Sequence, residues 1–137
     1  MTSRIRERLV LCGPQGPHTD HVAGLLGDEG WPVTRCAGAE ALLSIVCERR
    51  PAAIVYALAH QLAVDLALLS LMRQVAPDLP VVVVAPASHG LRAERWDAVH
   101  PVILEQSQED LFRLRDALRT ALRRARKRGP VLVEATG

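Results

Sequence analysis

The chain has 137 residues, 49% of them hydrophobic, and 17 Lys and Arg against 15 Asp and Glu give a formal net charge of +2. That is apolar material for one domain around a single core, and a balance too even for a general polyanion-binding surface. With 3% aromatic residues and no helix-turn-helix pattern, the chain offers bases neither a stacking platform nor a recognition helix, which argues against direct nucleic-acid binding.

The start, Met1 to Arg8, is charged where a signal peptide needs an apolar core, and no run approaches the roughly 18 apolar residues of a membrane span. Cys12, Cys36 and Cys47 are odd in number and sit in apolar runs, as reduced thiols of a cytoplasmic protein do. No disulfide framework is expected.

Leu9-Val10-Leu11-Cys12 is a short apolar run closed by the breaker-rich Gly13-Pro14-Gln15-Gly16-Pro17: a strand, then a loop. From Thr19 to Glu29, Val22, Leu25 and Leu26 recur at helical spacing, with Gly30 as the stop. Pro32 to Cys36 alternates like an outer strand, and Ala39 to Arg50 carries Leu42, Leu43, Ile45 and Val46 on a helical stripe. Pro51 ends that helix.

Pro51 to Ala57 is apolar on both alternating faces, the pattern of a central strand covered above and below by helices. A third helix follows from Val64 to Val75 with Leu68, Leu69 and Met72 inward, closed by Pro77. Leu79 to Ala85 holds four consecutive valines and reads as a buried strand ended by Pro86. Ser88 to Val99 predicts a short or irregular fourth helix with Leu91 and Trp96 as its large apolar residues. Val102 to Leu104 makes a fifth strand. Ser107, with an acid three residues on at Asp110, is a capping-box variant opening a long fifth helix with Leu111, Leu114, Leu118 and Leu122 inward. This helix is expected to stop at Gly129-Pro130, giving a domain over 1–128 and a tail or linker start over 129–137. Alternating strands and helices predict an α/β domain, a doubly wound five-stranded parallel sheet.

The stretches Glu29-Gly30-Trp31-Pro32-Val33, Ala37 to Leu42, Arg50 to Val55, and Ala76-Pro77-Asp78-Leu79-Pro80-Val81-Val82-Val83 follow the order and spacing of a known family. Over about residues 8 to 125 the chain resembles the receiver domain of bacterial response regulators. The resemblance implies a flavodoxin-like sheet of strand order 2-1-3-4-5 and a role in two-component signal transduction. It also implies a metal-binding acid pair after the first strand and a phosphoacceptor aspartate ending the third, and those positions fall on Gly13, Pro14 and Ala57. The family's switch hydroxyl becomes Ala85, and its lysine after the fifth strand becomes Glu105, followed by Gln106. Glycine, proline and alanine supply no oxygen ligand for a hard cation and cannot form an acyl phosphate. The expectation is a degenerate pseudo-receiver: not an enzyme, with no catalytic residue, no metal, no cofactor and no small-molecule ligand. Tyr56 and His60 are weak substitutes as acceptors, since neither has a metal pocket to neutralise the incoming phosphate.

Other motifs fall short as well. Gly13-Pro14-Gln15-Gly16 begins like a phosphate-binding loop but continues Pro17-His18-Thr19, and two prolines remove needed amide donors. Cys12 sits where phosphatases and phosphotransferase subunits of similar topology place a nucleophile. That alternative, a Cys12-dependent enzyme, lacks the arginine six residues on, where His18 stands. His18 and His21 lack a third metal ligand and read as an exposed loop.

The resemblance places partner docking or homodimerisation on the fourth helix, fifth strand and fifth helix, here Leu91, Trp96, Val102, Leu104, Phe112, Arg113, Asp116, Arg119 and Arg123. Trp96 and Phe112 are its aromatic anchor candidates, although either could equally finish the core. The basic run Arg123 to Arg128 complements a helix C-terminus or faces an anionic partner. The chain could also be the regulatory domain of a larger transcriptional regulator.

Overall fold

A computed structural model describes residues 8–58, 62–86, 100–105 and 107–136. The expected fourth helix over Ser88 to Val99, with Leu91 and Trp96, and the His60 and Gln106 positions lie outside the described residues.

Strands β1 (Leu9–Cys12), β2 (Val33–Cys36), β3 (Ala53–Ala57), β4 (Val81–Pro86) and β5 (His100–Leu104) form one parallel sheet in the order β2-β1-β3-β4-β5. This is the predicted order. Helices α1 (Pro17–Asp28), α2 (Ala39–Glu48), α3 (Leu62–Val75) and α4 (Asp110–Thr136) complete it; α4 is the fifth helix of the sequence reading. The register aligns Val10 with Ile54 and Ile54 with Val81, so alternate residues of neighbouring strands share a face.

Two cores follow from that alternation. On one face Val10, Ile54, Val81 and Val83 pack with Leu42 and Val46 of α2 and Leu68, Leu69 and Met72 of α3. On the other, Leu9, Leu11, Val55, Val82 and Val84 pack with Val22 and Leu26 of α1 and Leu114, Leu118 and Ala121 of α4. β1 and β3 are buried at every residue, which is why their sequences show no polar face.

The helix ends are set locally. Gly30 adopts φ 81°, its amide bonds to the Gly27 carbonyl, and the Trp31 amide reaches back to Leu26. This Schellman arrangement needs a left-handed residue, and glycine adopts it without a Cβ penalty. The Asp110 carboxylate accepts the Ser107 amide at 3.3 Å while the Ser107 hydroxyl accepts the Glu109 amide at 3.3 Å. The capping-box expectation therefore holds.

Two expectations need correction. The last helix does not stop at Gly129-Pro130 but continues through both to Thr136. A glycine and a proline inside a helix cost about 1 and about 3 kcal/mol relative to alanine, so this continuation runs against local propensity. The helix over His18 and His21 begins earlier than expected, at Pro17, whose missing amide costs nothing in a first turn.

Val82 is fully buried on the α1/α4 face. Val82→Asp should leave the domain insoluble or unfolded by circular dichroism, because an unpaired buried charge costs several kcal/mol against a total stability of about 5–15 kcal/mol. A soluble variant melting like the wild type would contradict the central position of β4.

Candidate functional site

Ligands of open parallel sheets bind outside the carboxyl ends of the strands, where the strand order reverses. Here that point lies between β1 and β3. Gly13 directly follows β1, Ala57 is the last residue of β3, Ala85 lies near the end of β4, and Glu105 directly follows β5. The parallel register thus brings Gly13, Pro14, Ala57, Ala85 and Glu105 to one edge of the sheet.

The edge is crowded. A Cβ built on Gly13 would stand 2.9 Å from the Ala57 Cβ, 3.0 Å from Thr19 Oγ1 and 3.1 Å from the Ala57 carbonyl oxygen. Side-chain carbons do not approach that closely, so the two chain segments meet at a spacing that only glycine allows without a shift. Ala57 is fully buried in the α1/α4 core, and Ala85 is fully buried on the opposite face.

The first turn of α1 adds to this closure. Thr19 is buried, and His18 Nε2 lies 3.2 Å from the Val84 carbonyl. A carbonyl only accepts, so that nitrogen carries the proton. The same carbonyl accepts the Leu58 amide at 3.0 Å, and His18 thus takes a second lone pair of the last β3–β4 rung. His21 Nε2 sits 2.8 Å from Asp110 Oδ2. The two histidines expected in an exposed loop are therefore helical, part-buried and bonded across the crevice to β4 and α4. Helical spacing three apart places them on one side of α1, and the sequence reading missed this by beginning the helix at Thr19.

Asp110 is the group on which this edge converges. Fully buried, it takes His21 on Oδ2, the Glu105 amide on Oδ1 at 3.0 Å, and the Ser107 amide. A buried carboxylate is stable only when its oxygens are occupied in this way. In the sequence it was legible as a cap and not as a tie between α1, β5 and α4. Glu105 directs its side chain to Arg113, 3.2 Å away, and Arg113 also meets Glu109 at 3.2 Å.

The opposite face carries a second polar group at the same end of the sheet. The Tyr56 hydroxyl donates to Asp65 Oδ1 at 2.7 Å, both residues being buried. Burial, and then the bond to this carboxylate, push the Tyr56 phenol well above its ordinary range, so it stays protonated. Cys12, next to Tyr56 in the register, donates its thiol to Cys36 and is likewise raised far above the ordinary thiol range, by that bond first and by burial second. A buried, protonated thiol is a poor nucleophile, which counts against Cys12 as the centre of a phosphotransfer enzyme. Among the described residues no three His, Cys, Asp or Glu side chains group as metal ligands, and no helix is long and apolar enough to cross a membrane.

A groove of about 480 Å³ opens at the other, amino-terminal edge of the sheet, between Arg8, Arg50, Asp78 and Leu122. Its Arg50 and Asp78 pair with each other at 2.8 Å, and Arg8 bonds to the Thr34 hydroxyl at 3.0 Å.

The expected docking residues divide. Val102 and Leu104 are buried, at 7% and 2% exposure, because strand alternation turns them toward the α1/α4 core; Ile103 between them is exposed instead. As contact residues of an intact domain, Val102 and Leu104 are therefore withdrawn. Phe112, Asp116, Arg119 and Arg123 are all exposed and recur at helical spacing, forming one outward stripe of α4. Phe112 is 56% exposed, so it does not finish the core. The Arg115 guanidinium covers its ring at 4.9 Å and bridges to Glu29 at the end of α1 at 3.1 Å. Arg113 is paired within its own chain.

Solved receiver domains share this fold. The receiver domain of NtrX from Brucella abortus aligns with a TM-score of 0.64 and 24% identity over 84% of this chain and 98% of that one. NtrX from the same organism in complex with ATP gives 0.71 and 22% over 91% of this chain, which spans only 28% of that longer chain. The constitutive lysine decarboxylase of E. coli gives 0.62 and 14% identity, with 88% of this chain and 18% of that chain covered. At such identities the likeness establishes the fold, and function has to be argued from the site. No family model and no curated protein matches the sequence.

Gly13→Ala should lower stability by about 1–3 kcal/mol through overpacking against Ala57, and adding Ala57→Gly should return part of the loss, since the two sites touch. Thermal melts of the two variants check this. A Gly13→Ala protein melting with the wild type would mean that the edge is roomier than described.

Proposed function

We propose that the chain is a pseudo-receiver: a non-enzymatic, phosphorylation-independent protein-interaction module of a two-component-type signalling system. The observation that carries the reading is the contact of Gly13 with Ala57. Where a working receiver would need room for carboxylates and a hydrated magnesium ion, this chain has two small residues pressed together and the first turn of α1 drawn over them. A phosphoryl group would also meet Glu105 where the resembled family offers a lysine, and like charge there disfavours an incoming anion.

Without an acyl phosphate to switch it, the module acts through a standing surface. The outward stripe of α4 supplies one: Phe112 is an exposed aromatic held in place by Arg115, and Asp116 lies between it and the exposed Arg119 and Arg123. Exposed aromatics beside arginines are the side chains that most often anchor interfaces. Two copies related by a twofold axis can set Asp116 of each against an arginine of the other. Such rim pairs contribute about 0–1 kcal/mol each, so the apolar anchor, Phe112, has to supply most of the affinity.

Sedimentation of the wild type beside a Phe112→Ala, Arg119→Glu double variant tests the surface. The wild type should self-associate with rising concentration, and the variant should remain a folded monomer. Identical, well-folded monomers throughout would rule out the homodimer and leave only a heterologous partner for this face.

A further inference from the structure

The edge strand pair β1–β2 ends on two cysteines. Cys12 and Cys36 are register partners, so they lie side by side on adjacent parallel strands at a spacing of about 4.7–4.9 Å. In a parallel pair register partners point to the same face, and both pack into the α2/α3 core. A disulfide requires Cα atoms about 4.4–6.8 Å apart, and the pair meets that limit without backbone movement. The two thiols influence one another: Cys36 raises the Cys12 thiol and Cys12 lowers that of Cys36.

Their surroundings divide the two roles. Cys12 is 1% exposed, whereas Cys36 is partly open to solvent. The bond from Cys12 lowers the Cys36 thiol below its ordinary range, and this outweighs partial burial. Gly38, the N-cap of α2, favours the Cys12 thiolate through its backbone amide, as the positive end of a helix dipole does. The charged or titratable groups facing the pair are Asp65 of α3 and Tyr56 of β3. Cys47, at the far end of α2, is exposed and shares none of this.

We propose that Cys12 and Cys36 form a redox-modification site that takes hydroperoxides. The Cys36 thiolate attacks the terminal peroxide oxygen, the O–O bond breaks and an alkoxide leaves, or hydroxide from hydrogen peroxide, giving Cys36 sulfenic acid, with sulfur oxidised and peroxide reduced. Oxidation of Cys36 removes the largest influence that keeps Cys12 protonated, and the Cys12 sulfur then displaces the sulfenic oxygen; its proton leaves with that oxygen as water, and an intramolecular disulfide closes between β1 and β2. A thiol reductant reverses the step. This chemistry does not rest on the docking reading, since it needs only the two thiols and is read by peptide mapping rather than by association.

The test uses the full chain carrying Cys47→Ser, treated with hydrogen peroxide. The intact mass should fall by two hydrogens, and a non-reducing tryptic digest should join Leu9–Arg35 to Cys36–Arg49 within one chain, reversibly with dithiothreitol. Adding Cys12→Ala should leave Cys36 as a sulfenic acid that dimedone traps, and should move the pH midpoint of Cys36 alkylation upward, because the bond that favours its thiolate is lost. Added oxygen on Cys36 with no peptide linkage in the Cys47→Ser protein, or linkage between separate chains only, would overturn the proposal.

Discussion

The fit of Gly13 against Ala57, where a Cβ on Gly13 would stand 2.9 Å from the Ala57 Cβ, sets what the carboxyl edge of the sheet can do. Parallel strands buried on both faces must end somewhere, and their ends expose backbone groups that need partners. This edge satisfies them internally: the Gly13 amide bonds to Cys36, and Leu58 and His18 share the Val84 carbonyl. The backbone demands of this edge are thus met from within.

The same constraint explains the polar residues around it. A helix drawn over the strand ends brings His18 and His21 against the sheet, and His21 needs an acceptor there. Asp110 supplies it while also receiving the amides that lead into α4, so one buried carboxylate fixes α1, the end of β5 and the start of α4 together. Bonds to a charged group contribute about 1.5–3 kcal/mol each, which makes Asp110 more consequential for this edge than any surface ion pair. The outward stripe of α4 is then carried on a helix whose first turn is firmly held.

Strand order, the two-sided burial of β1, β3 and β4, and the capping box were all legible, because period, proline placement and Ser107 with Asp110 are local signals. The positions that the resemblance singled out, Gly13, Pro14, Ala57, Ala85 and Glu105, lie at one edge of the sheet. What the sequence hid was long-range. Nothing local says that His21 meets a residue 89 positions away, or that Cys12 and Cys36 lie side by side, since register is fixed by the whole sheet. Val102 and Leu104 were misplaced on the surface because a three-residue apolar run does not reveal which of its faces is covered; Ile103 is the exposed one. The helix through Gly129 and Pro130 runs on past two residues that usually end one.

The most direct test of a closed edge is the intact mass of the protein after incubation with acetyl phosphate and magnesium, for the wild type and for Ala57→Asp. The account predicts no phosphoryl adduct on either protein, because one restored carboxylate lacks both its partner acids and the space for a metal. A stoichiometric adduct on the wild type, lost on mutating a single residue, would contradict it.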